Sequence, residues 1–278
     1  YASYGYGDTS GWDSAQVATV GGKWAHDTMH WRHVTVIADD YAFGWELGGD
    51  FAAEFKALGG SIDKSIWVPL DSVDVASYVS EIPKDTQAVY VELLGTQASN
   101  FLSDYQSYGL AGKIPLLAST TATDQSALPS VKPPTGVGTY TVSQYCDDNP
   151  SAANQKFANA YHKAYGVYPA YYSEAGYTKA EILVAALKKL HGDASDGAAL
   201  AKAMKSVSVT APRGPVSISP VTYSPIQNTY LCKVQDIGGT LRNVPVTTYP
   251  NVPPWGLLGQ STWRSNFKTE STSQPPWG

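Results

Sequence analysis

Four short β-branched or apolar runs between residues 33 and 119 are separated by single stretches of helical spacing, and this rhythm constrains the fold most. "HVTVIA" (33–38) is bounded by polar residues, as a strand covered on both faces is. In residues 45–58, Leu47, Phe51 and Phe55 lie four apart and Leu58 closes the face, with "LGG" as a helix stop. Residues 62–68 read as the second strand and 71–82 as a helix capped by Asp71 or Ser72. Residues 87–94 are a strand, 96–110 a helix stopped by Gly109, and 114–119 a strand. A strand, one helix and another strand make a crossover, so the strands run parallel with helices on both faces. The fold class is α/β.

After "PPTGVGTYTVSQY" the rhythm changes. Residues 150–166 read as a helix with Phe157, Tyr161, Ala164 and Tyr165 on one side. A longer helix spans 173–192 with Ile182, Leu183, Ala186, Leu187 and Leu190 inward, and Lys188, Lys189 and His191 suit its negative pole. A short third helix, 195–207, has Ser195 or Asp196 as its cap. These three helices have apolar faces and no evident strands to cover. "GPVSISP" and "QNTYLCKVQD" then read as two strands, and from Thr247 a Pro-, Trp- and Ser-rich tail is expected to lie extended on the surface. Its two copies of "PPWG" do not make a repeat architecture.

The 278 residues are 43% hydrophobic, enough for one large or two small domains. A net charge of −5 without a basic cluster argues against nucleic acid or an anionic membrane as partner. No apolar run reaches the ~18 residues of a membrane span. Neither an initiating Met nor a secretory signal opens the chain, as expected of a processed or truncated product. High Tyr and Trp with 15% charged residues suit an exported bacterial protein. Cys146 and Cys232, the two cysteines, are either buried thiols or one disulfide.

No catalytic set emerges. Asp39 and Asp40 with Glu46 would be a carboxylate group for hydrolysis or a metal, but read more simply as a solvated loop and helix-start charge. His26, His30 and His33 lack the HExxH order of a zinc site. "GGS" (59–61) and "GVG" (136–138) do not open a helix after a strand, and no G-x-S-x-G is present. No cofactor is expected.

"GKWAHD", "WRHVTVIADDYAFGWE", "ALGGSI", "WVPL", "GLAGKIPLLAS", "ANQKFANAYHKAYGVYP" and "PRGPVSISPVTYSPIQNTYLCKV" with "GGTLRNV" come in an order that resembles the type I periplasmic substrate-binding proteins of ABC importers. The branch is that of the branched-chain amino acid binders, over residues 8–252. The resemblance implies a two-lobed flytrap fold with three crossovers, parallel sheets flanked by helices, and a first lobe incomplete in this chain. Residues 1–11 would be the first crossover, 12–143 the second lobe, 144–209 helices of the first lobe, and 210–246 the third crossover with the last strands, before the tail at 247–278. About the first hundred residues of the family pattern have no counterpart, so a separate N-terminal segment or a second chain is expected to complete the first lobe. The crossovers run side by side in this fold, which would allow a Cys146–Cys232 bridge.

Ligands of open α/β sheets sit beyond the carboxyl ends of the strands. That places "DDYAFG", "ELLGTQ" (92–97), "ASTTAT" (118–123) and "GWDSAQ" (11–16) around one pocket face. The expected ligand residues are Trp12, Asp13, Gln16, Tyr41, Phe43, Leu94, Gly95, Thr96, Gln97, Ser119 and Thr120. For Phe43 and Trp45 the alternative is that they merely plug the lobe's top edge. In amino-acid-binding members a carboxylate after the strand matching "IPLLAS" holds the ligand ammonium. Here Ser119 and Thr120 stand there, with no acid before Asp124, and Glu92 is open to a substitute or an inward structural role. An unpaired buried ammonium is costly. The ligand is therefore expected to be a small carboxylate or amide with an apolar or aromatic body, bound weakly by this chain alone. Capture, lobe closure and delivery to a membrane permease would follow from the family, in the periplasm or outside the cell. A receptor's sensory domain, or a structural or assembly protein that reuses the fold, are the competing classes.

Overall fold

The computed structural model describes residues 11–72, 74–270 and 272–275. The expected first crossover therefore lies, but for Gly11, outside the described residues, as does most of the second "PPWG". The first strands and helices alternate as β1 (His33–Asp39), α2 (Ala42–Ala57), β2 (Ser61–Val68), α3 (Ala76–Ser80), β3 (Val89–Glu92), α4 (Gly95–Ser107), β4 (Leu116–Ser119) and β5 (Tyr140–Ser143), preceded by α1 (Ser14–Asp27). These five strands form a parallel sheet in the order β2-β1-β3-β4-β5. The order reverses at β1 and β3, the point where an open sheet leaves a crevice. Two cores follow from strands apolar on both sides. One packs Trp24, Phe51, Phe55 and Tyr90 under α1 and α2. The other packs Val79, Phe101, Leu102 and Tyr105 under α3 and α4.

The chain then leaves this unit. α5 (Ala152–Tyr165), α6 (Tyr171–Lys189) and α7 (Gly197–Lys205) are followed by β6 (Ser208–Ala211), β7 (Gly214–Ile218), β8 (Pro225–Ile237) and β9 (Thr240–Val252). β8 spans both parts: its start pairs with β7, its middle with β5, and its other edge with β9. Cys146 and Cys232 are bonded beside this junction, closing 86 residues of chain, with Cα atoms 6.2 Å apart.

Several expectations are corrected. The three middle helices do have strands beneath them: Ile182 of α6 packs with Ala211, Val216 and Ile218 of the β6–β7 hairpin. β7 lies within the strand read from "GPVSISP", whereas the four-residue β6 that pairs with it was too short to stand out. The hairpin covers only part of the faces read as inward. Ile182 and Ala186 are buried, but Tyr165 is 69% exposed, Leu183 38% and the solvent-side Val184 48%. α3 is shorter than expected and is capped by Asp74, whose Oδ1 accepts from Ala76 and Ser77 amides. The tail is not wholly extended. Residues 247–252 continue β9, and Gln260–Glu270 form α8 against α2, although the segment is polar on average.

Candidate ligand site

β1, β3 and β4 end together at Asp39, Glu92 and Ser119, and the site grows from these ends. After β1 the chain turns at once into α2. Tyr41 is its extended N-cap, so "AFGW" is the first helical turn rather than a loop. The turn is tight because Gly44 lies against the end of β1: a Cβ there would overlap the Asp39 carbonyl. Trp45 is turned aside, its indole N–H donating to Asp40 Oδ1 at 2.9 Å.

The remaining aromatics make a wall. Trp12 meets Phe43 edge-on at 5.7 Å between centroids and Tyr171 edge-on at 5.9 Å. Tyr41 lies 6.1 Å from Phe43, and Tyr172 lies 3.9 Å from Tyr171. Trp12, Tyr41 and Phe43 are half-buried, and Tyr172 is 64% exposed. The wall thus runs from the parallel-sheet unit onto the start of α6. Tyr171 and Tyr172 were missed in the sequence. The doubled tyrosine before "SEAGY" marks only a helix start, and nothing local tells that α6 begins at the other unit's edge.

Beneath the wall lie buried acids. Glu92 accepts from Ser119 Oγ at 2.5 Å and from Thr121 Oγ1 at 2.8 Å. Burial pushes its carboxyl up to about 8 against those hydrogen bonds, and nearby Asp39 raises it further. Asp39 is fully buried, and burial pushes it up to about 7, opposed by the Leu94 amide. At neutral pH Glu92 is therefore mainly uncharged, which makes it a poor counter-ion for an ammonium. Asp124 is engaged elsewhere: it accepts from both the amide and the hydroxyl of Ser126 and from the Tyr171 amide at 3.2 Å.

The structure brings Trp12, Tyr41 and Phe43 together but assigns other work to several expected ligand residues. Gln16 is fully buried, and its Nε2 donates to the Pro225 and Val252 carbonyls, each at 2.9 Å. Its Oε1 accepts from the Asp13 amide and from Gln227, so it locks the crossing chains and has no amide group to offer. Asp13 is the N-cap of α1, making "GWDSAQ" a helix start rather than a loop. Gln97 donates to the Pro69 and Ser72 carbonyls and so holds the β2–α3 loop. Ser119 is used by Glu92, and Thr120 is fully buried against Val142 and Gln144. Leu94 caps α4, with Gly95 and Thr96 exposed in its first turn.

The crossings beside the wall are fixed by charge. Arg213 and Glu174 are both fully buried and pair at 2.5 Å, with Arg213 also donating to Gln227 and the Gly11 carbonyl. Arg242 pairs with Asp147 and lies 3.3 Å over the Tyr168 ring. Two cavities of about 300 Å³ lie away from the wall. One runs from Leu128 and Val131 to Tyr168, the other is near Tyr105 and Gly136.

A parallel sheet flanked by helices, with chain crossings into a further set of helices and strands, is the architecture of the two-lobed α/β class. The chain belongs to the periplasmic binding protein family, whose model, described as "Periplasmic binding protein", matches residues 3–239. It is 30% identical over 237 residues to Leu/Ile/Val-binding protein homolog 6 of Brucella abortus, covering 82% of this chain and 60% of that protein. The ABC transporter substrate-binding protein from Sphaerobacter thermophilus superposes with a TM-score of 0.80 at 29% identity, covering 86% of this chain and 66% of that one. A solute binding protein from Rhodopseudomonas palustris BisB5, in complex with 3,4-dihydroxy benzoic acid, gives 0.80 at 32% identity, covering 87% and 66%. Another from strain HaA2, with p-hydroxybenzoic acid, gives 0.80 at 26%, covering 89% and 68%. These relatives are named as binding proteins, not enzymes. The chain spans about 60% of the length of the curated relatives it matches.

Proposed function

We propose that this chain carries the second lobe, and part of the first, of an extracytoplasmic solute-binding protein. It captures a small carboxylate or amide with an aromatic or aliphatic body between two lobes and delivers it to an ABC transporter permease. The aromatic wall of Trp12, Tyr41, Phe43 and Tyr171 over the buried Glu92, whose carboxyl burial pushes up, carries the ligand class. Flat apolar faces suit a ring, and a site whose nearest acids are protonated or engaged gives an α-ammonium no counter-charge. Benzoates in two relatives above 25% identity agree with this preference. The name of the Brucella relative points to the amino-acid alternative.

In this reading the ligand shifts an open–closed balance by its differential affinity for the two states. The first lobe is completed by a further segment or a second chain, supported by the uncovered faces of α5 and α6. Calorimetry on the complete protein against benzoate, hydroxybenzoates, short amides, leucine and valine tests the ligand class. The aromatic acids should bind more tightly than the amino acids. Sub-micromolar binding of leucine or valine without a response to aromatic acids would overturn the preference.

A further inference from the structure

We propose that the C-terminal segment is a proton-dependent strap on the ligand loop: Glu270 of α8 seats in the carboxyl pocket of Asp50 and Glu46, Gln274 reaches Asp40, and the strap releases as the pH rises. α8 lies beyond the residues matched by the family model and packs against α2. It is a polar helix of 11 residues, too short to persist in water without a partner. Among the side chains described on it only Glu270 is buried, so the docking draws on an inserted acid. Glu270 is only 5% exposed, whereas Arg264 and Lys268 on the same helix are exposed.

The seat is made by a glycine. A Cβ on Gly49 would overlap the Glu270 carboxyl. The groups facing that carboxyl are Asp50 and Glu46 from α2, with Asp13 and Ser14 from the start of α1 behind them. Ser14 Oγ lies 3.3 Å from Asp50 Oδ2 and 3.4 Å from Glu46 Oε2, while the buried Asp50 Oδ1 has no hydrogen-bond partner. Among the described ion pairs none neutralises Glu46, Asp50 or Glu270.

Asp50 and Glu270 are buried and Glu46 half-buried beside them, so full ionisation of all three is disfavoured and protons hold the contact together. Burial pushes Glu270 up to about 8 and Glu46 up to about 7, and raises Asp50 well above its ordinary range. Undocked, Glu270 returns to water and to the usual carboxylate range near 4.5. The docked state binds the proton more tightly, so docking is strongest below about 4.5 and is lost as the pH rises through about 8. The strap also touches the site. Gln274 Nε2 donates at 2.6 Å to Asp40 Oδ1, the oxygen that also accepts from Trp45, one residue before Tyr41. Release removes one of these two bonds from the turn that carries Tyr41 and Phe43. The consequence for ligand binding rests on the function proposed above; the docking does not.

Hydrogen exchange of the amides in 260–270, corrected for intrinsic chemical rates, reads the docking directly and needs no ligand. It is measured at pH 5, 6, 7 and 8 on the whole chain and on two variants, Glu270→Gln and Gly49→Ala. Protection in the parent protein should fall at least tenfold from pH 5 to 8. Glu270→Gln keeps the shape without the charge and should stay protected and nearly flat with pH. Gly49→Ala displaces the Glu270 carboxyl and should lower the protection of the helix at every pH, with β1 and β3 protected as before. Protection independent of pH in the parent, a parent-like slope in Glu270→Gln, or parent-like protection in Gly49→Ala would each overturn the strap.

Discussion

Glu92 shows how position along a strand decides the chemistry of a side chain. In the sequence it is one acid at the end of an apolar run. In the fold it is fully buried, accepts from the Ser119 and Thr121 hydroxyls and lies near Asp39. Its carboxyl is pushed from an ordinary 4.5 up to about 8. The folded state then holds a proton that the unfolded chain releases. The stability it confers is full below about 4.5 and is lost as the pH rises through about 8. Each pH unit within that window weakens the fold by up to about 1.4 kcal/mol for one such group. Replacing Glu92 by Gln should change the urea midpoint little at pH 5 and raise it relative to the parent at pH 8. Asp39, Glu46 and Asp124, also raised by burial, will preserve part of the slope. Equal losses at both pH values would mean that Glu92 acts through its charge.

Elements are placed here by close approaches that the sequence states only as glycines. Two show the contrast. Gly44 sits where α2 springs from the end of β1, and any Cβ would overlap the Asp39 carbonyl. Gly176 sits within α6, exposed, with open space where its Cβ would be. Gly44→Ala should cost about 1–3 kcal/mol, since backbone must move, and should weaken ligand binding by displacing Tyr41 and Phe43. Gly176→Ala should instead stabilise by about 0.5–1 kcal/mol through helix propensity. Denaturant titrations of the two variants check this, and equal effects would contradict it. The parallel unit was legible because apolar runs and helix stops recur with the crossover spacing. What was not legible is long-range. Gln16 and Gln97 look like pocket amides until the carbonyls of Pro225, Val252, Pro69 and Ser72 are brought to them. Of the β6–β7 hairpin only β6 was hidden, by its brevity, and α8 was missed because residues 260–270 are polar on average.

At the scale of the molecule, the two halves are unequally finished. The parallel sheet is covered on both faces by its own helices. The second unit is a three-helix layer on a two-strand hairpin and the start of β8, and its outer side is unusually apolar. Tyr172 is 64% exposed, Tyr165 69%, Val167 48%, Val184 48%, Leu183 38% and Tyr177 39%, all on α5, α6 or the turn between them. Burying each large apolar side chain of this kind contributes roughly 1.5–3 kcal/mol. Several large exposed apolar side chains on one helical layer are what a covering partner would bury. Among the described residues β6 is also the last strand of the sheet, an edge that invites another strand. The expected state of the native material is therefore this chain joined to a further segment, or assembled with a second chain, that extends this sheet and covers these helices. Intact mass, N-terminal sequencing and sedimentation together read this, and ligand affinity should rise when the covering part is present. A well-dispersed monomer of residues 1–278, binding ligand as tightly as any longer form, would show that the second unit needs no completion.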